Sequence, residues 1–193
     1  MINIIDKTNC CGCEACAQAC PKGCISMARD TEGFLYPKAN ADICIECGLC
    51  EKVCPVLNPY DVPDSLPDSY AGMVGDEKLR GDSSSGGVFT VLATDIINKG
   101  GCVFGACFND DWTVSHKCIS NIDEIHKLRG SKYVQSRIGL SYKEAKNCLK
   151  EGKWVLFSGT PCQIAGLNHY LGKDYPTLLT VDIVCHSVPS PLV

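Results

Sequence analysis

The pattern of apolar and polar positions changes near residue 60. Beyond this point, short apolar runs alternate with longer stretches of helical periodicity, which is the pattern of an α/β layer structure. The predicted strands cover residues 70–74, 102–108, 114–119, 154–157 and 178–184, and the predicted helices cover residues 87–98, 122–128, 142–151 and 163–171. The Gly100-Gly101 pair supplies the stop signal that the first of these helices needs.

The first 58 residues contain shorter predicted elements. A polar turn over residues 30–34 separates two strand candidates, residues 24–27 and 34–36. The next stretch, residues 59–69, contains three prolines, each of which removes a backbone donor and disfavours helix at the preceding residue. The chain therefore divides into a first segment, a proline-rich linker and a second segment that covers residues 70–193.

Two identical cysteine runs lie in the first segment. They read Cys10-x2-Cys13-x2-Cys16-x3-Cys20-Pro21 and Cys44-x2-Cys47-x2-Cys50-x3-Cys54-Pro55. This is the spacing of two-cluster bacterial ferredoxins, in which three thiolates of a run hold one 4Fe-4S cluster and the fourth ligates the other. We therefore predict two 4Fe-4S clusters with crossed ligands. The predicted ligand sets are Cys10, Cys13, Cys16 and Cys54 for one cluster, and Cys44, Cys47, Cys50 and Cys20 for the other.

Other uses of the cysteines fit the sequence less well. A structural zinc site needs only four ligands and prefers pairs separated by a longer gap. A disulfide framework would require an oxidising compartment, but the residues from Met1 to Asp6 show no basic start followed by an apolar stretch and a cleavage site. Asp95 and Asp182 interrupt the two most hydrophobic segments, so neither is long enough to cross a bilayer. We expect a cytoplasmic protein without direct membrane insertion.

Composition narrows the fold and the class of partner. The 193 residues allow one domain or two unequal ones, and an apolar content of 45% can supply a core. The formal net charge of −4 and the absence of a Lys/Arg cluster argue against nucleic acid as a main partner. We predict an α+β ferredoxin-like domain over residues 1–58, a linker over residues 59–69 and an α/β domain over residues 70–193.

A small-residue loop precedes the first predicted helix of the second segment. It reads Asp82-Ser83-Ser84-Ser85-Gly86-Gly87 and leads into a helix that begins near Val88. Backbone N–H groups and hydroxyls would then lie at a helix N-terminus, where the macrodipole favours an anion such as a phosphate. The alternative is that the serines only cap the helix and the glycines only permit the turn.

A second loop, residues 158–163, follows the predicted strand 154–157. The carboxyl ends of strands bind ligands in open α/β sheets, and Cys162 would lie near a helix N-terminus, which favours a reactive thiolate or a cluster ligand. The following strand leads into Cys185 and His186, so the sequence predicts two thiols and an imidazole near one edge of the sheet. The alternative is that both cysteines are small apolar residues.

Taken together, the motifs resemble the family of beta subunits of coenzyme F420 hydrogenases and dehydrogenases. The resemblance is carried by the double cysteine run and by four later segments in the same order, residues 83–89, 130–136, 159–167 and 185–191. Members of that family usually continue well past the segment that begins at Cys185. We therefore expect this chain to be a fragment or a short member.

The resemblance implies an iron-sulfur flavoprotein oxidoreductase. In that family, FAD exchanges single electrons with clusters and hydride with a deazaflavin, coenzyme F420, or another small-molecule acceptor. Transferred to this chain, the flavin contacts are Ser84, Ser85, Gly86, Gly87, Lys132, Tyr133, Gln135, Gly159 and Thr160.

The candidate catalytic residues are Cys162, Cys185 and His186. The expected partner is a redox protein or subunit, such as a ferredoxin or a hydrogenase or dehydrogenase subunit. Two other classes stay open: an electron-carrier subunit without catalysis of its own, and a regulatory or structural cluster protein.

Overall fold

The computed structural model describes residues 1–4, 6–60, 66–190 and 192. The centre of the predicted linker, residues 61–65, and the last residue of the predicted segment 185–191 lie outside these ranges. The described linker residues, 59–60 and 66–69, form no regular structure.

The first segment is a small α+β unit. Its helices and strands are α1 (Ala15–Ala19), β1 (Ile25–Arg29), β2 (Leu35–Ala39) and α2 (Leu49–Lys52). The two strands pair antiparallel, as the hairpin prediction requires. The Asp30 carboxylate fixes the turn because it accepts from the backbone N–H groups of Glu32 at 3.0 Å and Phe34 at 3.1 Å. Burial of several cysteines with Ile2 and Ile25 gives this unit a small core of its own.

The second segment is an α/β layer structure built on a five-stranded sheet. The strand order is β5-β4-β3-β6-β7, in which β3 and β4 are antiparallel and the other pairs are parallel. The elements are α3 (Glu77–Gly81), α4 (Val88–Asn98), β3 (Cys102–Phe108), β4 (Val114–Ile119), α5 (Ile125–Leu128), β5 (Ser136–Arg137), α6 (Ser141–Lys150), β6 (Val155–Gly159), α7 (Pro161–Leu171) and β7 (Leu178–Asp182). The mixed α/β architecture confirms the fold predicted for this segment, and β3 and β4 have the predicted bounds.

One predicted strand was wrong. Residues 70–74 form no strand, and Tyr70 and Met73 are 91% and 71% exposed. The apolar character of these residues therefore does not mean that they are buried in a sheet. The Val74 N–H instead donates to the Gly86 carbonyl at 2.7 Å, which pins this stretch to the small-residue loop.

Two elements were missed by the sequence analysis. Strand β5 has only two residues, too few to show an alternating pattern. Helix α3 is short, but its start has a recognisable signal, because the Asp76 carboxylate accepts from the Leu79 N–H at 3.0 Å.

The two segments share a core. One face of the sheet is covered by α6 and α7, and its buried cluster contains Phe104, Tyr142 and Phe157 together with Cys13 and Ala15 of the first segment. The opposite face packs against α4 and α5. Apolar surface of the first segment is thus buried against the second, which stabilises their contact by the hydrophobic effect. Among the described residues, no helix is long and apolar enough to cross a membrane.

Candidate functional site

The two cysteine runs fold into equivalent loops. Each loop has a left-handed residue one position before its second cysteine, Gly12 (φ 63°) in the first run and Glu46 (φ 53°) in the second. Each has another one position after that cysteine, Glu14 (φ 61°) and Gly48 (φ 72°), and a short helix follows. The loops therefore turn in the same way, although glycine and glutamate have exchanged places. A non-glycine residue pays about 1–2 kcal/mol for this conformation.

The second run surrounds a partly open space that we call the outer cavity, with an empty volume of about 350 Å³. Two sulfur atoms at this cavity accept backbone hydrogen bonds at 3.4 Å, Cys44 from the Glu46 N–H and Cys20 from the Cys24 N–H. Such bonds suit a thiolate that carries charge. The cysteines that line the outer cavity are Cys20, Cys24, Cys44, Cys47 and Cys50.

The first run surrounds a similar space, the inner cavity, with an empty volume of about 320 Å³. Its lining cysteines are Cys10, Cys11, Cys13, Cys16 and Cys54. Each cavity thus gathers three cysteines of one run and the fourth of the other, which is the crossed set that the spacing predicts.

The donor chemistry fits cubane clusters. Among the described residues, no three His, Cys, Asp or Glu side chains converge on a single metal ion. A cubane cluster, in contrast, holds its thiolates at four separate corners. Burial raises the pKa of the Cys16 thiol to about 12 and also raises the pKa of Cys10, so a bound metal would have to displace the proton.

Cys24 lines the outer cavity but does not belong to either of the predicted ligand sets. Its sulfur lies 3.3 Å from the Cys20 sulfur. Burial opposes ionisation of Cys20, but the side-chain bond from Cys24 and backbone N–H groups outweigh it and lower the pKa of Cys20. The same side-chain bond raises the pKa of Cys24 to about 11. The Cys20 and Cys24 side chains therefore form one hydrogen-bonded pair at the outer cavity.

The first cysteine loop packs against the second segment on one side. Helix α7 approaches so closely that a Cβ atom on Gly166 would lie 3.0 Å from the Cys13 sulfur and 3.0 Å from the Tyr142 hydroxyl. The buried Glu14 carboxylate accepts from the backbone N–H groups of Ile138 at 3.1 Å and Gly139 at 3.2 Å. These contacts, which the sequence analysis missed, hold the first cysteine loop against the sheet.

Cys162 lies at this junction. Its sulfur is 3.1 Å from the Thr160 hydroxyl, and it interacts with the Cys11 side chain. That interaction, followed by burial, raises the pKa of Cys162, which is opposite to the lowered pKa that a helix N-terminus was expected to produce. The interaction of Cys11 with Cys13 raises the pKa of Cys11 to about 12. The thiols of Cys11, Cys13 and Cys162 are therefore neighbours at the edge of the inner cavity.

Cys185 and His186 do not join this group. Both are exposed in the irregular stretch after β7. No hydrogen bond connects Cys162 with either residue in the part of the chain that the structure describes. The same stretch runs back to the hairpin of the first segment, where the Ser190 hydroxyl bonds to the Glu32 carbonyl.

The small-residue loop is packed against its own chain. A Cβ atom on Gly86 would lie 2.5 Å from the Gly72 carbonyl oxygen, and one on Gly87 would lie 2.7 Å from a Val74 methyl group. Gly87 (φ 77°) is the N-cap residue of α4, and no side chain caps this helix. The glycines are thus explained by the turn and by close packing, whereas exposed Ser84 and Ser85 do not act as caps.

The other expected flavin contacts are divided among different neighbours. The Lys132 ammonium donates to the carbonyls of Arg129 at 2.6 Å and Lys127 at 3.3 Å, and burial lowers its pKa. Tyr133 is 80% exposed. Gln135 borders the first cysteine loop, and its Oε1 atom is buried without a hydrogen-bond partner.

Gly159 and Thr160 belong to a polar network at the end of β6. The Thr160 N–H donates to Gln163 Oε1 at 3.0 Å, which forms part of a capping box for α7. A Cβ atom on Gly159 would lie 3.5 Å from Nε2 of buried His116. That imidazole contacts the Ser158 carbonyl at 2.9 Å and the Ser136 hydroxyl at 2.8 Å, and burial lowers its pKa to about 4. His116 is therefore neutral at pH 7.

The flavin residues predicted by resemblance do not form one open cradle. The uncapped N-terminus of α4 and the hydroxyls of Ser84 and Ser85 can still face an anion. Lys132 and the two glycines, in contrast, already serve the packing of the protein. We therefore assign no reaction step to a flavin at this loop.

Known families match both segments. Residues 9–58 match the 4Fe-4S dicluster domain, and residues 69–140 match the N-terminal part of the coenzyme F420 hydrogenase/dehydrogenase beta subunit. An F(420)H(2) dehydrogenase subunit of Methanosarcina mazei is 25% identical over 169 residues, which are 83% of this chain and 48% of that protein. The uncharacterized protein MJ1349 of Methanocaldococcus jannaschii is 24% identical, with 88% of this chain and 54% of that protein covered.

The chain thus spans about half the length of these two relatives. A chain of the F420-reducing NiFe hydrogenase complex from Methanosarcina barkeri aligns over 52% of this chain and 38% of its own length, with 24% identity. Its TM-score of 0.41 is too low to support a statement about geometry. The two family matches occur in the order of the motifs: residues 69–140 are similar to the N-terminal part of the coenzyme F420 hydrogenase/dehydrogenase beta subunit, and a 4Fe-4S dicluster domain precedes them.

Proposed function

We propose that the chain is the iron-sulfur electron-transfer part of an oxidoreductase that exchanges electrons with a two-electron carrier such as coenzyme F420. The observation that carries the proposal is the crossed lining of the two cavities, because each holds three cysteines of one run and one of the other. The names of the relatives, a dehydrogenase subunit among them, agree with a role inside a larger redox complex.

The residues of this chain have distinct tasks in the proposal. When bound, 4Fe-4S clusters supply one-electron chemistry, at potentials that range from about −700 to +450 mV. The eight cysteines hold them, and the N–H groups of Cys24 and Glu46 stabilise negative charge on sulfur. Gly166 allows α7 to pack closely against the Cys13 sulfur. Glu14 keeps the loop of that cavity in register with the sheet.

The finer part of the proposal concerns the two-electron half of the reaction. FAD would mediate between the clusters and a small-molecule acceptor or donor, and a redox protein or subunit would complete the pathway, in the cytoplasm. Ser84, Ser85 and the N-terminus of α4 would be the contacts that remain free for the flavin phosphates. Cys162, beside the inner cavity, is the candidate catalytic residue nearest to a cluster, and Cys185 and His186 are candidates from the exposed stretch after β7.

A specific observation also favours the second candidate, an electron-carrier subunit without flavin chemistry of its own. The glycines of the small-residue loop and the Lys132 ammonium are engaged by the protein itself. A flavin would have to bind without them. The carrier function requires only the two cavities and leaves the second segment as the surface on which a flavin-containing subunit assembles.

Anaerobic reconstitution tests the proposal. About eight iron atoms and eight sulfide ions per chain are expected from two 4Fe-4S clusters. Stoichiometric zinc without acid-labile sulfide would contradict it. FAD added to the reconstituted wild type and to Ser85→Asp, in which a new carboxylate would repel a phosphate at the exposed loop, then separates the two candidates. Flavin bound by the wild type and lost in the variant supports the loop site, whereas intact clusters with no flavin bound to either protein support the carrier.

A further inference from the structure

The two cluster cavities differ in how they meet the solvent. At the outer cavity, Cys47 is exposed, and three apolar side chains of the same loop are also exposed: Ile43 at 50%, Ile45 at 56% and Leu49 at 40%. We call these four residues the outer patch. Ile45 and Cys47 line the cavity itself. Large apolar side chains on a loop that must fold around a cluster would be costly to leave in water without a use for them.

The cysteines of the inner cavity are less accessible to a second protein. Cys13, Cys16 and Cys54 are buried, and the first segment packs against α6 and α7 on this side. Gly166 brings α7 against the Cys13 sulfur. A protein in solution would therefore meet the outer cavity first, and electrons that cross between molecules would pass there.

The charge around the outer patch indicates the kind of partner. Asp42 and Glu46 are exposed beside it, and in the described part of the chain neither carboxylate forms an ion pair. Thiolates that hold a cluster add negative charge at the same place. The described cations at this cavity are Lys22 and the terminal ammonium of Met1, and the latter is paired with the Glu51 carboxylate at 3.1 Å. The rim is therefore negative on balance, which attracts a basic surface and speeds its encounter.

We propose that the outer patch docks a redox protein whose own centre lies under an apolar surface with a basic rim. This inference rests on the proposed function, because the surface serves electron transfer only when the outer cluster is bound. In the transfer, one electron leaves the reduced protein and reduces the partner by one electron. No proton moves and no bond breaks. Apolar contact would exclude water between the two centres, and the charged rims would set their orientation.

Cytochrome c is a suitable probe because lysines surround its exposed haem edge. Two readouts are measured: carbodiimide cross-links mapped by mass spectrometry, and the rate of cytochrome c reduction by the reduced holoprotein. We expect cross-links at Asp42 and Glu46. Glu46→Lys should slow the reduction by about fivefold at low salt and by less at high salt, because salt screens the rim. Ile45→Ser should slow it by about threefold at both salt concentrations, as the loss of an apolar contact predicts.

Matched controls separate docking from damage. Leu140→Ser and Glu144→Lys change an exposed apolar residue and an exposed acid on the second segment, and both should leave the rate within about twofold. Oxidation of all reduced proteins by a small uncharged quinone should stay unchanged, since a small neutral acceptor needs no docking surface and is not steered by the charge of the rim. Cross-links elsewhere, or equal losses in the control variants, would overturn the docking surface while full iron content upholds the proposed function. A protein without clusters would overturn both.

Discussion

The outer and inner cavities are built from the same sequence pattern and lie in opposite surroundings. Both loops have the same cysteine spacing and equivalent left-handed positions. One loop presents Cys47 and the outer patch to solvent, whereas the other lies under α7 with Cys13 and Cys16 buried. Solvent exposure and hydrogen bonds to sulfur set cluster potentials. The comparison shows that a repeated sequence motif can form two equivalent groups of cysteines. The surrounding structure then gives the two groups different exposure to solvent.

The largest expected effect is the loss of one cluster through its crossed ligand. Cys20→Ala should empty the outer cavity and Cys54→Ala the inner one, so iron should fall from about eight to about four atoms per chain in each variant. Cys107→Ala, a buried cysteine on the other face of the sheet, should keep all of it. Paramagnetic resonance of the reduced proteins identifies the remaining cluster. A Cys20→Ala protein that retains the outer cluster and loses the inner one would refute the crossing.

The next effect should appear only at the inner cavity. In Gly166→Val, the new side chain would collide with the Cys13 sulfur and the fully buried Tyr142, so we expect a loss of about 3 kcal/mol in the free energy of unfolding. The inner cluster should also be lost first. Denaturant unfolding and iron content measure the two effects. Gly75→Val is the matched control, since a Cβ atom there has open space around it. Equal damage in both variants would mean that α7 does not press on the inner loop.

Acid should also lower the free energy of unfolding, through the buried imidazole of His116. The pKa of His116 is lowered to about 4, so below its unfolded value of about 6.5 the unfolded chain binds the extra proton. The free energy of unfolding should therefore fall by about 2 kcal/mol between pH 7 and pH 5. His116→Gln should remove this dependence, whereas His126→Gln, on an exposed imidazole, should keep it. Unfolding curves at several pH values that coincide for wild type and His116→Gln would contradict the assignment.

The smallest effect concerns the potentials. Cys24→Ala removes the thiol whose sulfur lies 3.3 Å from the Cys20 sulfur, and a lost hydrogen bond to a ligand sulfur favours the oxidised state. With about 1 kcal/mol for such a bond, the potential of the outer cluster should fall by about 40 mV. Cys11→Ala should do the same for the inner cluster alone. Redox titrations followed by paramagnetic resonance can resolve the two clusters. A common shift of both would show that the two sites are coupled more strongly than their separate linings suggest.

Much of the fold could be predicted because its signals are local. The hairpin of the first segment, strands β3 and β4, and helix α7 with Pro161 in its first turn all follow from turn residues, periodicity and caps. The strand predicted over residues 70–74 was wrong because Tyr70 and Met73 are apolar but exposed, and an apolar run in the sequence also fits a buried strand. Strand β5 has no local signal, since its two residues are held by contacts with distant parts of the chain, such as pairing with β4.

The cysteine spacing by itself predicts the two ligand sets, because a short loop with a fixed number of residues can wrap only a few thiols around one centre. The sequence could not decide which cavity would be buried. That depends on contacts such as Glu14 with Ile138 and Gly166 with Cys13, between residues far apart in the chain. Contacts of this kind form only when the apolar face of the sheet and the first segment are buried against each other. Only the tertiary structure therefore decided that the cysteines of the first run would be more buried than those of the second.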